Sequence, residues 1–494
     1  MTDKTLHCAR NYEKEAAAEI SKTLRPKFHM TPYVGWTNDP NGFSFYNGKY
    51  HLFYQSNPYG VVWDSMHWGH VVSKDLLHWE YLPCAMAPDQ LYDSSGCFSG
   101  SAIELDDGRQ LIMYTGVSKE SDDGKDIQTQ CIAIGDGIDY QKYSKNPVLD
   151  RTCLPEGLSR NDFRDPKIWR ETDGSFRCVV GARKPEKEGS ILLFSSRDGF
   201  SWEYESVLIE NNGKFGLMWE CPDFFELDEK HILICSPQDM FAEGLEYQNG
   251  HGTLCLIGEL DSEKKKFTYE SNQSIDYGLD FYAPQTMVAP DGRRIMIGWM
   301  QNWATCDPSG CEERKWFGQM TLPRELSIID GRLYQQPIRE LEQFRSNKIE
   351  YRKIEMSDEL VLNHIEGRTI DMEITVRSKD DTMYNNFTVI LAQDDKFHTS
   401  LSFRPYESIL KIDRKYSGSR KAFVHERCCN VPNKNGEIKM RLIMDKYSIE
   451  VFINDGERVM TTVITTDISA KGISFLTQGK VEMDITKYEL FAEE

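Results

Sequence analysis

Five stretches within the first 330 residues repeat one pattern, a polar turn followed by an alternating or apolar run. They are NGKYHLFYQ from Asn47, DGRQLIMYTG from Asp107, DGSFRCVVGA from Asp173, DEKHILICSP from Asp228 and DGRRIMIGWM from Asp291. Each has the pattern of a β-hairpin, with an apolar strand on either side of the turn. Sheet-sized repeats roughly 60 residues apart predict a five-bladed β-propeller over residues 28–335. The alternative is a β-rich domain whose turns share Asp-Gly by coincidence.

The sequence on either side of the repeats differs in character. Residues 1–27 are polar and favour a short N-terminal helical extension, and GRLYQQPIRELEQFR, from Gly331, predicts a linker helix within residues 336–348. From residue 349 to residue 494 short alternating strands return, as in TIDMEITVRS and YSIEVFIN, and indicate a β-sandwich. The predicted fold is therefore all-β, a propeller followed by a C-terminal β-sandwich. The sandwich could bind sugar, mediate dimer contacts or buttress the propeller.

Composition and charge restrict the partners. The chain has 494 residues, 28% of them charged, and a net charge of −20, which argues against nucleic acid and anionic membrane as partners. Its 13 cysteines include no CxxC pair and no zinc-like spacing, so we expect free thiols in a reducing compartment and no metal. The N-terminus has no apolar signal-like stretch, and no run of 18 apolar residues occurs. We therefore expect a cytoplasmic protein, with homo-oligomerisation left open.

The repeat also aligns candidate chemistry, because the residue eight positions before each turn begins the first strand of its blade. These residues are Asp39, Ser99, Asp165, Glu220 and Ala283. The innermost strands of a propeller surround its axis, so their starting ends should bring three carboxylates to one mouth. Clustered acids raise one another's pKa, and a protonated acid beside an ionised one is what glycoside hydrolysis requires. The separation of the two acids, which decides between retention and inversion, does not follow from the sequence.

Each acid also has an interpretation without catalysis. Asp39 could stabilise an Asx turn within NDPNG, and Asp165 could form an ion pair with Arg164. Glu220 lies between Trp219 and Cys221, where an unused carboxylate would be costly to bury. The three acids could instead bind calcium, although no EF-hand-like loop is present.

Four motifs in order, WTNDPNG, FSGS, FRDPK and WECPD, closely resemble the β-fructofuranosidase family of glycoside hydrolases, which includes invertases, sucrose-6-phosphate hydrolases, inulinases and levanases. The resemblance extends from about Phe28 to the end of the chain. It implies that Asp39 is the nucleophile that forms a covalent fructosyl-enzyme, Glu220 the general acid/base and Asp165 the stabiliser of the transition state. It also implies a fructose subsite lined by Asn38, Gln55, Trp63, Phe98, Ser99, Arg164, Tyr282 and Trp303.

The implied activity is retaining hydrolysis of the terminal non-reducing β-D-fructofuranosyl bond of sucrose, sucrose 6-phosphate or short fructo-oligosaccharides, without a metal or organic cofactor. Arg164 is expected to keep its neighbour Asp165 ionised. The alternatives are a fructosyltransferase that uses the same three acids and a carbohydrate-binding protein without activity. A phosphate on the leaving group would need basic side chains nearby, and the candidates are His67, Arg183 and Lys184.

Overall fold

Five β-sheets form the first part of the chain in the computed structural model, which describes residues 4–120, 124–159, 161–184, 188–311, 313–419, 421 and 424–491. Residues 1–3 and 492–494, which belong to the predicted extension and sandwich, lie outside the described residues. The strands of the five sheets are β1 (Gly35–Tyr46), β2 (Lys49–Asn57), β3 (His67–Ser73) and β4 (Glu80–Met86); β5 (Gly96–Glu104), β6 (Gln110–Lys119), β7 (Asp126–Gly135) and β8 (Tyr140–Lys142); β9 (Phe163–Arg170), β10 (Phe176–Arg183), β11 (Gly189–Ser196) and β12 (Glu203–Glu210); β13 (Trp219–Leu227), β14 (Lys230–Pro237), β15 (Leu254–Asp261) and β16 (Lys266–Ser274); and β17 (Tyr282–Val288), β18 (Arg294–Trp299), β20 (Arg324–Ile329) and β21 (Arg332–Pro337), with β19 (Trp316–Phe317) joining the first sheet.

The first strands of the five sheets contact one another in a closed ring, β1 with β5, β5 with β9, β9 with β13, β13 with β17 and β17 with β1. The predicted five-bladed propeller is therefore confirmed. Each predicted turn joins the first two strands of a blade. Asn47, at φ 48°, and Gly48, at φ 74°, show why such residues are used there, since Asn and Gly tolerate the left-handed region that a tight hairpin needs.

A two-residue strand links the last blade to the first. Strand β19 follows β18 of the fifth blade and pairs in parallel with the start of β1, Trp316 opposite Gly35 and Phe317 opposite Trp36. The aromatic rings of Trp36 and Phe317 stack with centroids 5.0 Å apart. The strand that leads to Asp39 is thus held by a segment almost 300 residues further along the chain.

The N-terminal helix α1 (Leu6–Ala17) packs against β4 of the first blade. Its Glu13 is 3% exposed and accepts a hydrogen bond of 3.1 Å from the backbone N–H of Cys84. Arg10 donates to the carbonyl oxygen of the same residue at 2.9 Å. The remaining helices are short 3-10 turns, at Lys22–Leu24, Leu91–Asp93, Arg151–Cys153 and Arg339–Phe344, and the last lies where the linker helix is predicted.

Two six-stranded sheets pack face to face in the second part of the chain and confirm the predicted β-sandwich. Their strands are β22 (Arg345–Met356), β23 (Glu359–Leu360), β24 (Ile370–Ser378), β25 (Asn386–Gln393), β26 (Thr399–Arg404), β27 (Ile409–Asp413), β28 (Glu426–Asn430), β29 (Ile438–Asp445), β30 (Ser448–Ile453), β31 (Arg458–Val463), β32 (Gly472–Gln478) and β33 (Val481–Leu490). One sheet has the order β22-β33-β24-β29-β30-β31 and the other β23-β32-β25-β26-β27-β28. Side chains such as Ile374 and Phe475, both fully buried, fill the space between them.

A buried charge network joins the propeller to the sandwich. His29 of the propeller contacts Asp445 Oδ2 through Nδ1 at 3.0 Å and Glu450 Oε1 through Nε2 at 2.9 Å. Arg324 donates to Glu450 Oε2 at 2.7 Å and to Asp276 Oδ2 at 3.0 Å. All five side chains are fully buried, so each charge depends on the others for compensation.

Two further observations concern the whole chain. All thirteen cysteines lie in the described ranges and are free thiols, as expected from their spacing. Among the helices that the structure describes, none combines the length and the apolar character needed to cross a membrane.

Candidate active site

A β-bulge interrupts the first hairpin of every blade near the start of its first strand. The shifts in register lie between Thr37 and Pro40, Phe98 and Gly100, Arg164 and Lys167, Glu220 and Asp223, and Tyr282 and Gln285. Three non-glycine residues at these bulges have left-handed backbones, Asp165 at φ 65°, Cys221 at φ 50° and Ala283 at φ 50°. A bulge bends its strand and redirects the side chains beside it. The repeated bulge is therefore the local reason that Asp39, Ser99, Asp165 and Glu220 reach the mouth of the propeller, where the fifth blade contributes Tyr282 and not Ala283.

One cavity of about 420 Å³ opens at this mouth. It is lined by all eleven residues singled out from the sequence, Asn38, Asp39, Gln55, Trp63, Phe98, Ser99, Arg164, Asp165, Glu220, Tyr282 and Trp303. Two further residues, Gln238 and His251, complete the lining. The residues come from all five blades, so the site exists only when the ring is closed.

Asp39 is fixed by hydrogen bonds to both of its carboxylate oxygens. Asn38 Nδ2 donates to Oδ1 at 3.0 Å, and Ser99 Oγ donates to Oδ2 at 2.7 Å. Asn38 is oriented in turn by the indole N–H of Trp36, which donates to its Oδ1 at 2.8 Å. Burial raises the pKa of Asp39, the Ser99 hydrogen bond opposes that rise, and the negative charge of Glu220 adds to it.

Asp165 is held on its left-handed backbone by contacts on two sides. Its N–H donates to Thr115 Oγ1 at 2.9 Å, and its Oδ2 accepts from the backbone N–H of Cys221 at 2.9 Å. The thiol of Cys221 lies 3.5 Å from Asp39 Oδ2 and 3.7 Å from Asp165 Oδ2, so both carboxylates share one weak donor.

Arg164 lowers the pKa of Asp165, in the expected direction, but does not return it to the usual range of an aspartate. Burial raises the pKa of Asp165 to about 7, and the positive charge of Arg164 does not outweigh it, because the charges of Glu220 and Asp39 act in the same direction as burial. The guanidinium of Arg164 forms its hydrogen bonds with other carboxylates. The cluster therefore retains a proton near neutral pH, as clustered acids are expected to do.

Glu220 accepts hydrogen bonds on both of its oxygens. Arg164 Nε and Nη2 donate to Oε1 at 3.0 Å and 2.9 Å, and the hydroxyl of Tyr282 donates to Oε2 at 2.7 Å. Arg164 is anchored behind by Asp162 Oδ1 at 3.2 Å, and Arg183 Nε donates to Asp162 Oδ2 at 2.8 Å. A buried arginine fixed by two acids gives this carboxylate a defined orientation.

The predicted phosphate contacts do not line the cavity. His67 is fully buried, its Nδ1 contacts the carbonyl oxygen of Ser65 at 2.6 Å, and burial lowers its pKa to about 4, so it is neutral. Lys184 pairs with Glu210 at 2.9 Å, and Arg183 pairs with Asp162, the acid that also contacts Arg164. These side chains are occupied by structural partners that the sequence spacing does not reveal.

Aromatic rings form the walls of the cavity. Trp63 is 46% exposed at the rim, with its ring 6.1 Å from that of Phe98 in an edge-on arrangement. Trp303 stacks on Trp36 with centroids 6.0 Å apart. Such surfaces can contact the apolar faces of a sugar ring, while the carboxylates and amides address its hydroxyl groups.

Gln238 and His251 are the lining residues that the sequence does not indicate. Both lie in the connection between β14 and β15, as Trp63 and Trp303 lie in the corresponding connections of the first and fifth blades. The ring of His251 is 5.6 Å from that of Tyr282, whose hydroxyl binds Glu220. A signal for Gln238 is its position directly after β14, the second strand of the hairpin that begins near Glu220.

Comparison with known proteins identifies relatives along nearly the whole chain. Residues 29–337 match the N-terminal domain of glycosyl hydrolases family 32 and residues 340–491 match its C-terminal domain. A sucrose-6-phosphate hydrolase of Escherichia coli is 37% identical over 480 residues, with 94% of each chain covered. One of Bacillus subtilis is 33% identical, with 96% of this chain and 95% of the relative covered.

Solved structures agree with these matches. The β-fructofuranosidase of Bombyx mori superimposes with a TM-score of 0.83 at 34% identity, covering 98% of both chains, and a variant of it has been solved in complex with sucrose. The sucrose-6-phosphate hydrolase of Lactobacillus gasseri gives a TM-score of 0.84 at 28% identity, covering 99% of both. Sequence and fold together establish that this chain belongs to glycosyl hydrolase family 32.

Proposed function

We propose that the chain is a retaining β-fructofuranosidase that hydrolyses the terminal β-D-fructofuranosyl bond of sucrose 6-phosphate, sucrose or short fructo-oligosaccharides. The observation that carries the proposal is the meeting of three carboxylates from three blades, the buried Asp165 and the partly exposed Asp39 and Glu220, in one cavity with aromatic walls. Sucrose 6-phosphate is the first substrate to test, because the E. coli and B. subtilis relatives are both named sucrose-6-phosphate hydrolase. A cytoplasmic location is part of the proposal and fits the thirteen free thiols.

The proposed first step is attack of an oxygen of Asp39 on the anomeric carbon of fructose. The bond from that carbon to the leaving-group oxygen breaks, and Glu220 gives that oxygen its proton. Water then attacks the fructosyl-enzyme, loses its proton to Glu220 and releases Asp39. The hydrogen bonds from Asn38 and Ser99 hold Asp39 in position in the free site.

Asp165 is proposed to bind fructose hydroxyl groups and to stabilise the positive charge of the oxocarbenium-like transition state. Burial raises the pKa of Asp165 to about 7, so this carboxylate can take up a proton as the pH falls through neutrality. Glu220 must carry a proton before the leaving group departs, and the proton held by the cluster is a source for it.

The test measures glucose 6-phosphate release from sucrose 6-phosphate and glucose release from sucrose, for wild type, Asp39→Asn and Glu220→Gln. We expect losses of about three orders of magnitude or more in kcat for both variants. Glu226→Gln is the matched control, because Glu226 is an exposed glutamate near the other end of the same strand, β13. Wild-type inactivity on every fructoside, or full activity of either variant, would refute the assignment.

Stereochemistry is tested separately by adding methanol as acceptor. Retention yields methyl β-fructofuranoside, since a second displacement follows the first, whereas an inverting enzyme would give the α-anomer. The ratio of kcat/KM between the two sucrose substrates identifies the preferred one.

A further inference from the structure

A second cavity, of about 480 Å³, lies between the propeller and the sandwich, outside the catalytic cavity. Its propeller wall includes Arg314 and Trp316, and its sandwich wall includes Tyr447 and His425. None of these four residues lines the catalytic cavity. We call this space the interdomain cleft.

Arg314 is presented in the cleft as a cation without a carboxylate. Its guanidinium carbon lies 4.6 Å from the ring centre of Tyr447 and 5.7 Å from that of Trp316. Among the described residues, no acid lies within ion-pair distance of it and no acceptor binds its side-chain N–H groups. A guanidinium that lies over an aromatic ring is restricted in its orientation, and its edge can offer two parallel N–H donors, the geometry that matches a phosphate or carboxylate.

Two further polar atoms of residues that line the cleft have no hydrogen-bond partner within the described ranges. The indole N–H of Trp316, a side chain only 3% exposed, has no partner, and neither has the buried Nδ1 of His425. Burying an unpaired N–H is costly, so the proton of His425 is favoured on its other nitrogen, Nε2, where the partly exposed ring can donate it.

Within the described ranges, the other lysine and arginine side chains that line the cleft have carboxylate partners. Lys421 Nζ contacts Asp307 Oδ1 at 2.7 Å, and Arg414 Nη1 contacts Asp280 Oδ2 at 2.5 Å. Arg314 therefore supplies a net positive charge here, in a chain whose overall net charge is −20. A local charge opposite to that of the whole molecule selects an anionic ligand.

We propose that the interdomain cleft binds a small phosphomonoester, with Arg314 holding the phosphate and His425 donating to it. The aromatic faces of Trp316 and Tyr447 and the volume of the cleft leave space for a sugar attached to that phosphate. Inorganic phosphate and a sugar phosphate share the recognised group. The proposal does not require the catalytic assignment, since no residue of the cleft takes part in it.

Isothermal titration with glucose 6-phosphate, inorganic phosphate and glucose tests the proposal on the full chain. We expect both phosphates and not glucose to bind, and Arg314→Gln to weaken binding about tenfold or more, since a charge-assisted bidentate contact is lost. Arg314→Lys, which keeps the charge and loses the fork, should weaken it less. Arg404→Gln, an exposed arginine of the sandwich paired with Glu407, is the matched control and should leave binding unchanged.

Comparison of the three titrations identifies which phosphate compound the cleft prefers. Tighter binding of glucose 6-phosphate than of phosphate identifies a sugar phosphate as the ligand, and equal binding identifies free phosphate. Absence of phosphate binding to wild type, or binding that survives Arg314→Gln unchanged, overturns the proposal. Thermal denaturation of each variant checks folding, and because Arg314 lies at the surface, loss of fold is not expected.

Discussion

The buried histidine between the two domains makes stability depend on pH. Burial alone would lower the pKa of His29, but its hydrogen bonds to Asp445 and Glu450 and their charges raise it from 6.5 to about 9. Because the pKa of His29 is higher in the folded than in the unfolded protein, protonated His29 contributes to the free energy of unfolding. This contribution is fully present below pH 6.5 and is lost as the pH rises to about 9. At roughly 1.4 kcal/mol per pKa unit, the free energy of unfolding should lose about 3 kcal/mol across that window.

The assay is urea unfolding followed by tryptophan fluorescence at pH 6, 8 and 9.5, for wild type and His29→Gln. Other groups that titrate in the window, such as Glu13, are present in both proteins, so the difference between the two isolates His29. The free energy of unfolding of wild type minus that of His29→Gln should fall by about 3 kcal/mol between pH 6 and pH 9.5. A difference between wild type and His29→Gln that stays constant with pH would refute the reasoning.

Three further outcomes are expected. Ser99→Ala removes the 2.7 Å hydrogen bond to Asp39 and should lower kcat about tenfold with KM nearly unchanged, and an unaltered kcat would contradict the positioning role. Trp63→Ala, at the exposed rim, should raise KM and leave kcat within a few-fold, as steady-state kinetics can check; a fall in kcat alone would contradict this. Burial raises the pKa of Glu13 to about 8, so Glu13→Gln should become increasingly stabilising over wild type as the pH rises from 4.5 to about 8, measured by urea midpoint; a pH-independent difference would exclude this.

Most of what can be predicted from the sequence follows from the five repeated hairpins. Asp39, Asp165 and Glu220 occupy equivalent positions before equivalent turns, so counting along the chain is enough to bring them to one mouth. The fold follows from the same period, because each hairpin buries its apolar face only against neighbouring blades. The resemblance adds Gln55 and Trp63, which lie outside the counted positions, and the structure brings both to the cavity.

What could not be predicted depends on contacts between distant segments. The direction in which Arg164 points is set by Asp162 and Glu220, and sequence adjacency to Asp165 suggests the wrong partner. His251 belongs to a connection whose length differs from blade to blade, so the repeat does not mark its position. The same holds for the pairing of β19 with β1, since a two-residue strand has no pattern of its own.

That pairing has a consequence for the order in which the protein can be completed during synthesis. Strand β1, which carries Asp39, is among the first to leave the ribosome, but its partner β19 emerges only after four blades and half of the fifth have been made. Until then the start of β1 presents unpaired backbone groups, the kind of edge that associates with other chains. A nascent or truncated chain that ends before Trp316 therefore contains the three acids but lacks strand β19, which pairs with the start of the strand that carries Asp39. The part of the polypeptide that is synthesised first is thus among the last to reach its final structure.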